Sequence, residues 1–265
     1  MKVAFWNVNS VRPRLPQVLE WIKEEQPDVL CLQEIKCQEH EFPTEPFEEE
    51  GFQCAVFGQK SYNGVAILSK YAIEDIQKNN PYFQDDQSRI LECVIDGWLR
   101  VVNVYVPNGQ AVGTEKMDYK LDFLKSFKEY IKSRMKLENP LIIGGDFNVA
   151  PTPQDAHKSA QQDKDVLCSP QERKAFRELL HLGLLDTIRE FNIQAKDLFS
   201  WWDYRSGSFQ SNKGFRIDHI LASAMAFNSP EYKIINCGIE SSPRSNERPS
   251  DHAPIWVKIE KINKI

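Results

Sequence analysis

Short apolar runs, several of which end directly on an acid or an amide, are the feature that most narrows what this chain can fold into. They lie at 2–6, 28–32, 53–57, 64–68, 90–95, 99–106, 141–145, 217–222 and 254–259. Their β-branched content, and the Gly, Pro and Asn that bound them, predict strands. Amphipathic helices fall between the strands. Leu15, Val18, Leu19 and Ile22 share one helical face within 14–25, and Leu124, Phe127, Ile131 and Met135 share another within 119–136. A third helix is predicted to start at Ser169-Pro170-Gln171-Glu172, where Ser caps, Pro fills the first turn and Glu follows three residues on. The mixture is layered α+β, with helices covering sheet faces.

The strand ends carry the chemistry. Strand 2–6 runs into Asn7 and Asn9, strand 28–32 into Gln33-Glu34, and strand 141–145 into Asp146-Phe147-Asn148. Asp218 opens strand 217–222, Ser250-Asp251-His252 precedes the last strand, and Tyr105 lies near the end of 99–106. If the last strand is antiparallel to the others, all of these groups reach one sheet edge. Carboxylates gathered there repel one another unless a cation sits among them. Asp, Glu, Asn and water are oxygen ligands suited to a hard divalent ion, and no Cys/His set suits zinc. Magnesium is the expected ion, with manganese as a substitute.

Taken singly, most of these residues have an ordinary structural reading. Asp146-Phe147-Asn148 resembles an Asx turn, Glu34 and Asn7 resemble caps, and Tyr105 resembles core packing. The same placement in five separate segments favours a site. The stretch Phe199–Arg205 holds two adjacent tryptophans, which would face opposite ways in a strand, one toward the core and one toward a cleft. Arg205, Lys213 and Arg216 lie in the same region and suit a DNA rim, although three charges over twelve residues also make an ordinary solvated loop. No chemistry is assigned to His40, His157, His181 or His219.

Composition sets outer limits. The 265 residues are 41% hydrophobic and 27% charged, an ordinary globular balance, and no linker or repeat divides residues 1–265, so one domain is expected. The net charge of −5 argues against a generally basic nucleic-acid coat. It does not exclude a DNA enzyme, because phosphate contacts depend on local Lys and Arg. Six cysteines without a Cys-x-x-Cys pair predict reduced, mostly buried thiols. The start lacks a signal-peptide core and no long apolar run occurs, so an intracellular, cytoplasmic protein working on nucleoid DNA, with no membrane partner, is expected. A monomer is the default expectation.

Six motifs, in this order, resemble those of exonuclease III-type AP endonucleases, within the endonuclease/exonuclease/phosphatase superfamily. They are Trp6-Asn7-Val8-Asn9-Ser10-Val11-Arg12, Leu32-Gln33-Glu34, Tyr105-Val106-Pro107-Asn108-Gly109, Gly145-Asp146-Phe147-Asn148, Arg216-Ile217-Asp218-His219-Ile220-Leu221 and Pro249-Ser250-Asp251-His252-Ala253-Pro254. The Phe199–Arg205 stretch and Gly58-Gln59-Lys60 followed by Tyr62-Asn63-Gly64-Val65-Ala66 add to the likeness, which spans essentially the whole chain. Some members of the family carry Asp where this chain has Asn9.

The resemblance implies a four-layer α/β/β/α sandwich of two packed mixed sheets, with the active site at one end of both. It implies cleavage 5′ to abasic sites in double-stranded DNA, leaving a 3′-hydroxyl, together with 3′-phosphatase and 3′→5′ exonuclease work at blocked ends. Asn7, Glu34, Asp146, Asn148, Asp251 and His252 are then the candidate metal ligands, with Glu34 principal. Asp146 would orient or deprotonate the attacking water. Asn148 would donate to the phosphate, Asp218 would hold a charged His252 against it, and Tyr105 would add a donor. Asn108, Trp201, Arg205 and Arg216 would contact DNA. Two other readings compete: another phosphodiesterase of the superfamily (an inositol-phosphate or sphingomyelin phosphodiesterase, or an RNA deadenylase), and a non-catalytic DNA-binding protein on the same scaffold.

Overall fold

A computed structural model describes residues 1–160 and 164–262. The strands are β1 (Lys2–Asn7), β2 (Val29–Gln33), β3 (Gln53–Phe57), β4 (Val65–Ser69), β5 (Ile73–Lys78) and β6 (Ile90–Ile95), followed by β7 (Leu99–Tyr105), β8 (Leu141–Asp146), β9 (Leu184–Asp186), β10 (Asp218–Ser223), β11 (Tyr232–Ile239) and β12 (Ile255–Lys261). Helices α1 (Val11–Glu25), α2 (Thr44–Glu49), α3 (Glu115–Arg134) and α4 (Pro170–Leu180) are joined by two short ones, α5 (Thr187–Phe191) and α6 (Ala224–Phe227).

Two six-stranded mixed sheets form, ordered β11-β12-β1-β2-β4-β3 and β5-β6-β7-β8-β10-β9. Alternation along the strands puts Val3 and Phe5 of β1 in the core between the sheets, with Cys31, Ile67, Ile142, Ile220 and Val257. Ala4 and Trp6 face the other way, onto Val18, Trp21 and Ile22 of α1. On the far side Val102, Val104, Ile143 and Leu221 pack against Phe123, Phe127 and Ile131 of α3 and Phe176 of α4. Three apolar interfaces between four layers give the expected α/β/β/α order.

The helix signals hold with small shifts. α4 starts as predicted, with Ser169 accepting from the Glu172 amide and the Glu172 side chain reaching back. α1 begins at Val11, three residues earlier than periodicity indicates, with Pro13 and Pro16 near its first turn. The sequence reading omits β5, β9 and β11. All three are edge strands, and β5 is largely exposed. A strand with one open edge and a wet face has no need of the apolar run that marks a central strand.

Two glycines allow close approaches below the site, one between the sheets and one between neighbouring strands of the same sheet. A Cβ on Gly144 would lie 2.6 Å from ring carbons of Phe5 in the facing sheet, and Gly145 adopts φ +133 with the Val104 carbonyl 2.1 Å from a Cβ position. Asp146 therefore leaves β8 at a height set by these close approaches. Among the described residues, no helix is long and apolar enough to cross a membrane.

Candidate active site

Strand register delivers the side chains. In one sheet β7 and β8 run parallel with Tyr105 opposite Asp146, and β10 runs antiparallel with Asp218 opposite Asp146. In the other, β1 and β2 are parallel with Asn7 beside Gln33, so Glu34 follows at the same level. β12 is antiparallel to β1, which returns His252 to that end. The condition on the last strand is met, and the polar groups converge at one end of both sheets.

Asn7 is the junction. Its Nδ2 donates to Glu34 Oε1 at 2.9 Å and to Asp146 Oδ2 at 3.0 Å, bridging the sheets. Asp146 also accepts from the Asn148 amide at 2.8 Å and from Asn148 Nδ2 at 3.1 Å. His252 Nδ1 lies 2.9 Å from Asp218 Oδ2. With Nδ1 donating there, Nε2 faces Asp146 Oδ2 at 3.7 Å. Ser200 Oγ donates to Asp218 at 2.6 Å and accepts from the Ile217 and Asp218 amides, so the carboxylate has little freedom.

These neighbours set the charge states. Burial is the largest influence on Asp146 and raises its pKa; Asp218 and Glu34 push the same way, and the His252 cation pulls back. Burial alone would keep His252 neutral, but the carboxylates of Asp218, Asp146 and Asp251 outweigh it and lift the pKa from 6.5 to about 10. Tyr105 is raised well above 10.0 by burial and by the charges of Glu34 and Asp146, so its phenol stays protonated.

A folded pKa above the unfolded one stabilises the protein fully below the unfolded value, and that stability fades as pH climbs to the folded value. Metal-free wild type is therefore expected to lose its stability advantage over His252→Asn between about pH 6.5 and about pH 10. Chemical denaturation of both proteins across that range tests this. A constant gap would mean that His252 is not charged.

Glu34, Asp146 and His252 each offer one ligand atom, and these atoms lie within 4.8 Å of one another. Two hard carboxylates fit a divalent cation that prefers oxygen, whereas Asn7 presents its Nδ2 to them and its Oδ1 accepts from the Asn9 amide at 3.0 Å, so it steadies the carboxylates and is not itself placed as an oxygen ligand. His252 fits less well as a ligand, since one ring nitrogen is committed to Asp218 and the ring is cationic.

Several expected roles are corrected. Arg216 is not on a DNA rim. It is buried, donating from Nε to Asp155 at 2.7 Å and from an amino group to Asp186 at 2.8 Å. Burial opposes its charge, but the two carboxylates more than compensate and raise its pKa further. Asn148 does not offer a free donor: its Nδ2 is shared between Asp146 and the Val106 carbonyl, and its Oδ1 accepts from Asn108 Nδ2 at 3.0 Å. Asp251 lies outside the metal cluster, its carboxylate occupied by Trp201 Nε1 at 2.8 Å and Asn9 Nδ2 at 3.0 Å. Trp202 is the core tryptophan, against Phe199 and Ala253. Trp201 is half-buried with its ring toward Phe215 and His252. Arg205 and Lys213 are exposed, and so is Asn108 beside the site.

Residues 4–252 match the model of the endonuclease/exonuclease/phosphatase family. The chain belongs to this family. It is 37% identical to exodeoxyribonuclease III of Haemophilus influenzae, over 97% of this chain and 99% of that one. Among solved structures it is similar to a 3′ phosphatase from Neisseria bound to a product DNA hairpin, at 36% identity and TM-score 0.92, covering 98% of this chain and 99% of that one. An AP endonuclease from Archaeoglobus fulgidus is 33% identical with TM-score 0.90, covering 97% and 98%.

Within this family site, three residues escaped the sequence reading. Ser200 orients Asp218, and nothing in the sequence distinguishes it from other serines. Lys36 Nζ sits 2.8 Å from Glu34 and donates to Asn9 Oδ1 at 2.6 Å. It lies two residues after Glu34, where a lysine reads as solvated. Lys120 did leave a signal, because it shares the buried stripe of α3 with Leu124, Phe127 and Ile131, and a charge there calls for a buried partner.

Proposed function

We propose that the chain is a divalent-metal-dependent DNA repair phosphodiesterase. It cuts the backbone of double-stranded DNA 5′ to abasic sites, leaves a 3′-hydroxyl, and clears 3′-blocked ends by phosphatase and exonuclease action. The observation that carries this reading is the convergence of Asn7, Glu34, Asp146 and the Asp218–His252 pair at one end of both sheets, in a chain whose relatives are named for exonuclease and AP endonuclease work.

Glu34 and Asp146, steadied by Asn7, would hold magnesium. The ion would neutralise charge on the non-bridging phosphate oxygens. Asp146 orients the attacking water and takes its proton. Asn7 and Asn148 donate to both oxygens of this carboxylate and fix its orientation. His252, charged and fixed by Asp218, places Nε2–H against the phosphate, and Tyr105 adds a protonated phenol. Such catalysis rests on positioned charge more than on covalent steps.

A groove of about 440 Å³ runs from Tyr105 and Asn108 past Asn63, Gln87, Arg89 and Lys116. The Arg89 guanidinium stacks 4.9 Å from the Tyr105 ring. This cationic floor suits a DNA strand despite the negative total charge. The half-buried Trp201 ring, packed between Phe215 and His252, offers an apolar surface that suits the space left by a missing base.

One gel tests the reading. It compares an abasic duplex, a duplex with a 3′-phosphate at a nick and a blunt duplex, with and without magnesium, alongside a soluble phosphoinositide. Cutting of the abasic and 3′-phosphate substrates is expected, lost in EDTA and restored by excess magnesium. Turnover of the phosphoinositide alone would place the chain elsewhere in the family. Undiminished cutting in EDTA would remove the metal from the scheme.

A further inference from the structure

Lys120 and Glu172 are both fully buried and form an ion pair with one another. Burial lowers the Lys120 pKa, and Glu172 pulls it back. A buried pair of this kind is a weak source of stability, because the desolvation of both charges offsets their attraction. Its placement is informative. Besides Glu172, the Lys120 ammonium donates to the Asn108 carbonyl at 3.1 Å and to the Asn148 carbonyl at 2.6 Å. Glu172 in turn accepts from the Leu167 and Ser169 amides, each at 3.0 Å.

Asn108 and Asn148 belong to the loops that follow β7 and β8, and their side chains bond one another. Asn148 holds a left-handed φ of +50, a conformation that surrounding contacts must maintain. From it, the Asn148 amide and Nδ2 both reach Asp146. The adjoining Gly109 also has a positive φ and packs on the Lys120 stem, where a Cβ would come within 3.0 Å of Cδ.

We infer that Lys120, with Glu172 behind it, is a positioning residue for the reaction. It clamps the two loop carbonyls so that Asn148 aims Asp146 at the attacking water. This inference rests on the role given to Asp146 under the proposed function.

The test is the double variant Lys120→Met/Glu172→Gln, which removes both charges while leaving an acceptor for the Leu167 or Ser169 amide. It is read by kcat, KM and thermal unfolding on an abasic duplex. Expected are a folded protein, KM within about threefold of wild type, and kcat lower by about 10- to 100-fold, the scale of a sub-ångström to 1 Å misplacement. A folded double variant with wild-type kcat would overturn the inference. Should this variant not fold, Lys120→Gln/Glu172→Gln is read in its place. A kcat below wild type at unchanged KM supports the brace, and an unchanged kcat refutes it. Asp146→Asn run in parallel separates the two claims. An active Asp146→Asn removes the parent role of Asp146, whereas an inactive Asp146→Asn beside a fully active double variant removes the brace alone.

Discussion

Replacing Asp146 with Asn is expected to lower kcat on an abasic duplex by about 10²- to 10⁴-fold, the usual cost of losing a general base, while the Kd for the same DNA changes little. The side chains are nearly isosteric, so β8 and the glycine-mediated contact with Phe5 are undisturbed. The asparagine Oδ1 can still accept from the Asn148 amide, but its amide nitrogen would face the donors Asn7 and Asn148 Nδ2. What disappears is the proton acceptor at the opening and one of the charges that a divalent ion needs. Single-turnover cleavage with saturating magnesium measures the first effect, and binding of an uncleavable duplex measures the second. Near wild-type turnover would take Asp146 out of the chemistry. Loss of DNA affinity equal to the loss of turnover would make it a structural or binding residue.

The sequence is legible where burial forces a pattern. Central strands must be apolar on both faces, so β1, β2, β4, β7 and β8 stand out as runs. The groups at their ends stand out in turn, because Glu34 and Asp146 end runs that have no place for a charge. The α4 cap is local chemistry and needs no partner to be seen. Edge strands such as β5 and β11 escape because a wet edge relaxes the same constraint. The site roles that failed also failed for a reason of distance. Whether Arg216 faces DNA or the core depends on Asp155 and Asp186, which are remote in sequence. Whether Asn148 is free or committed depends on Asn108 and Val106, carried by the neighbouring β7 segment. Lys120 shows the intermediate case, in which helical spacing exposes an anomaly but only the fold supplies its three partners.

Arg216→Met is expected to destabilise the protein by about 3–5 kcal/mol, the range for breaking a buried charge pair from one side. Asp186 would lose the guanidinium nitrogen that bonds both of its oxygens, while Asp155 would keep Arg189 at 2.6 Å as a cationic partner, with the Thr152 amide and hydroxyl on its other oxygen. The neutral His219 ring, which faces Arg216 through Nδ1 and the Val149 carbonyl through Nε2, would also lose a donor. At about 2–4 °C per kcal/mol for a chain near this size, Tm should fall by roughly 6–20 °C. The sign of the pH dependence is a second check. Burial alone would raise the Asp155 pKa, but the Arg216 charge outweighs it and holds the carboxyl below its usual range. Such a group stabilises the fold above its unfolded pKa and loses that effect as pH falls toward its folded one. The gap between wild type and Arg216→Met should therefore narrow as pH drops below about 4. A surface arginine that gripped DNA phosphate would behave differently. Its removal would leave Tm alone and lower the salt dependence of DNA binding by about one ion. An unchanged Tm with a reduced salt slope would return Arg216 to the DNA interface, and a lowered Tm with the slope intact would fix it as the strut between the Asp155 loop and the Asp186 strand.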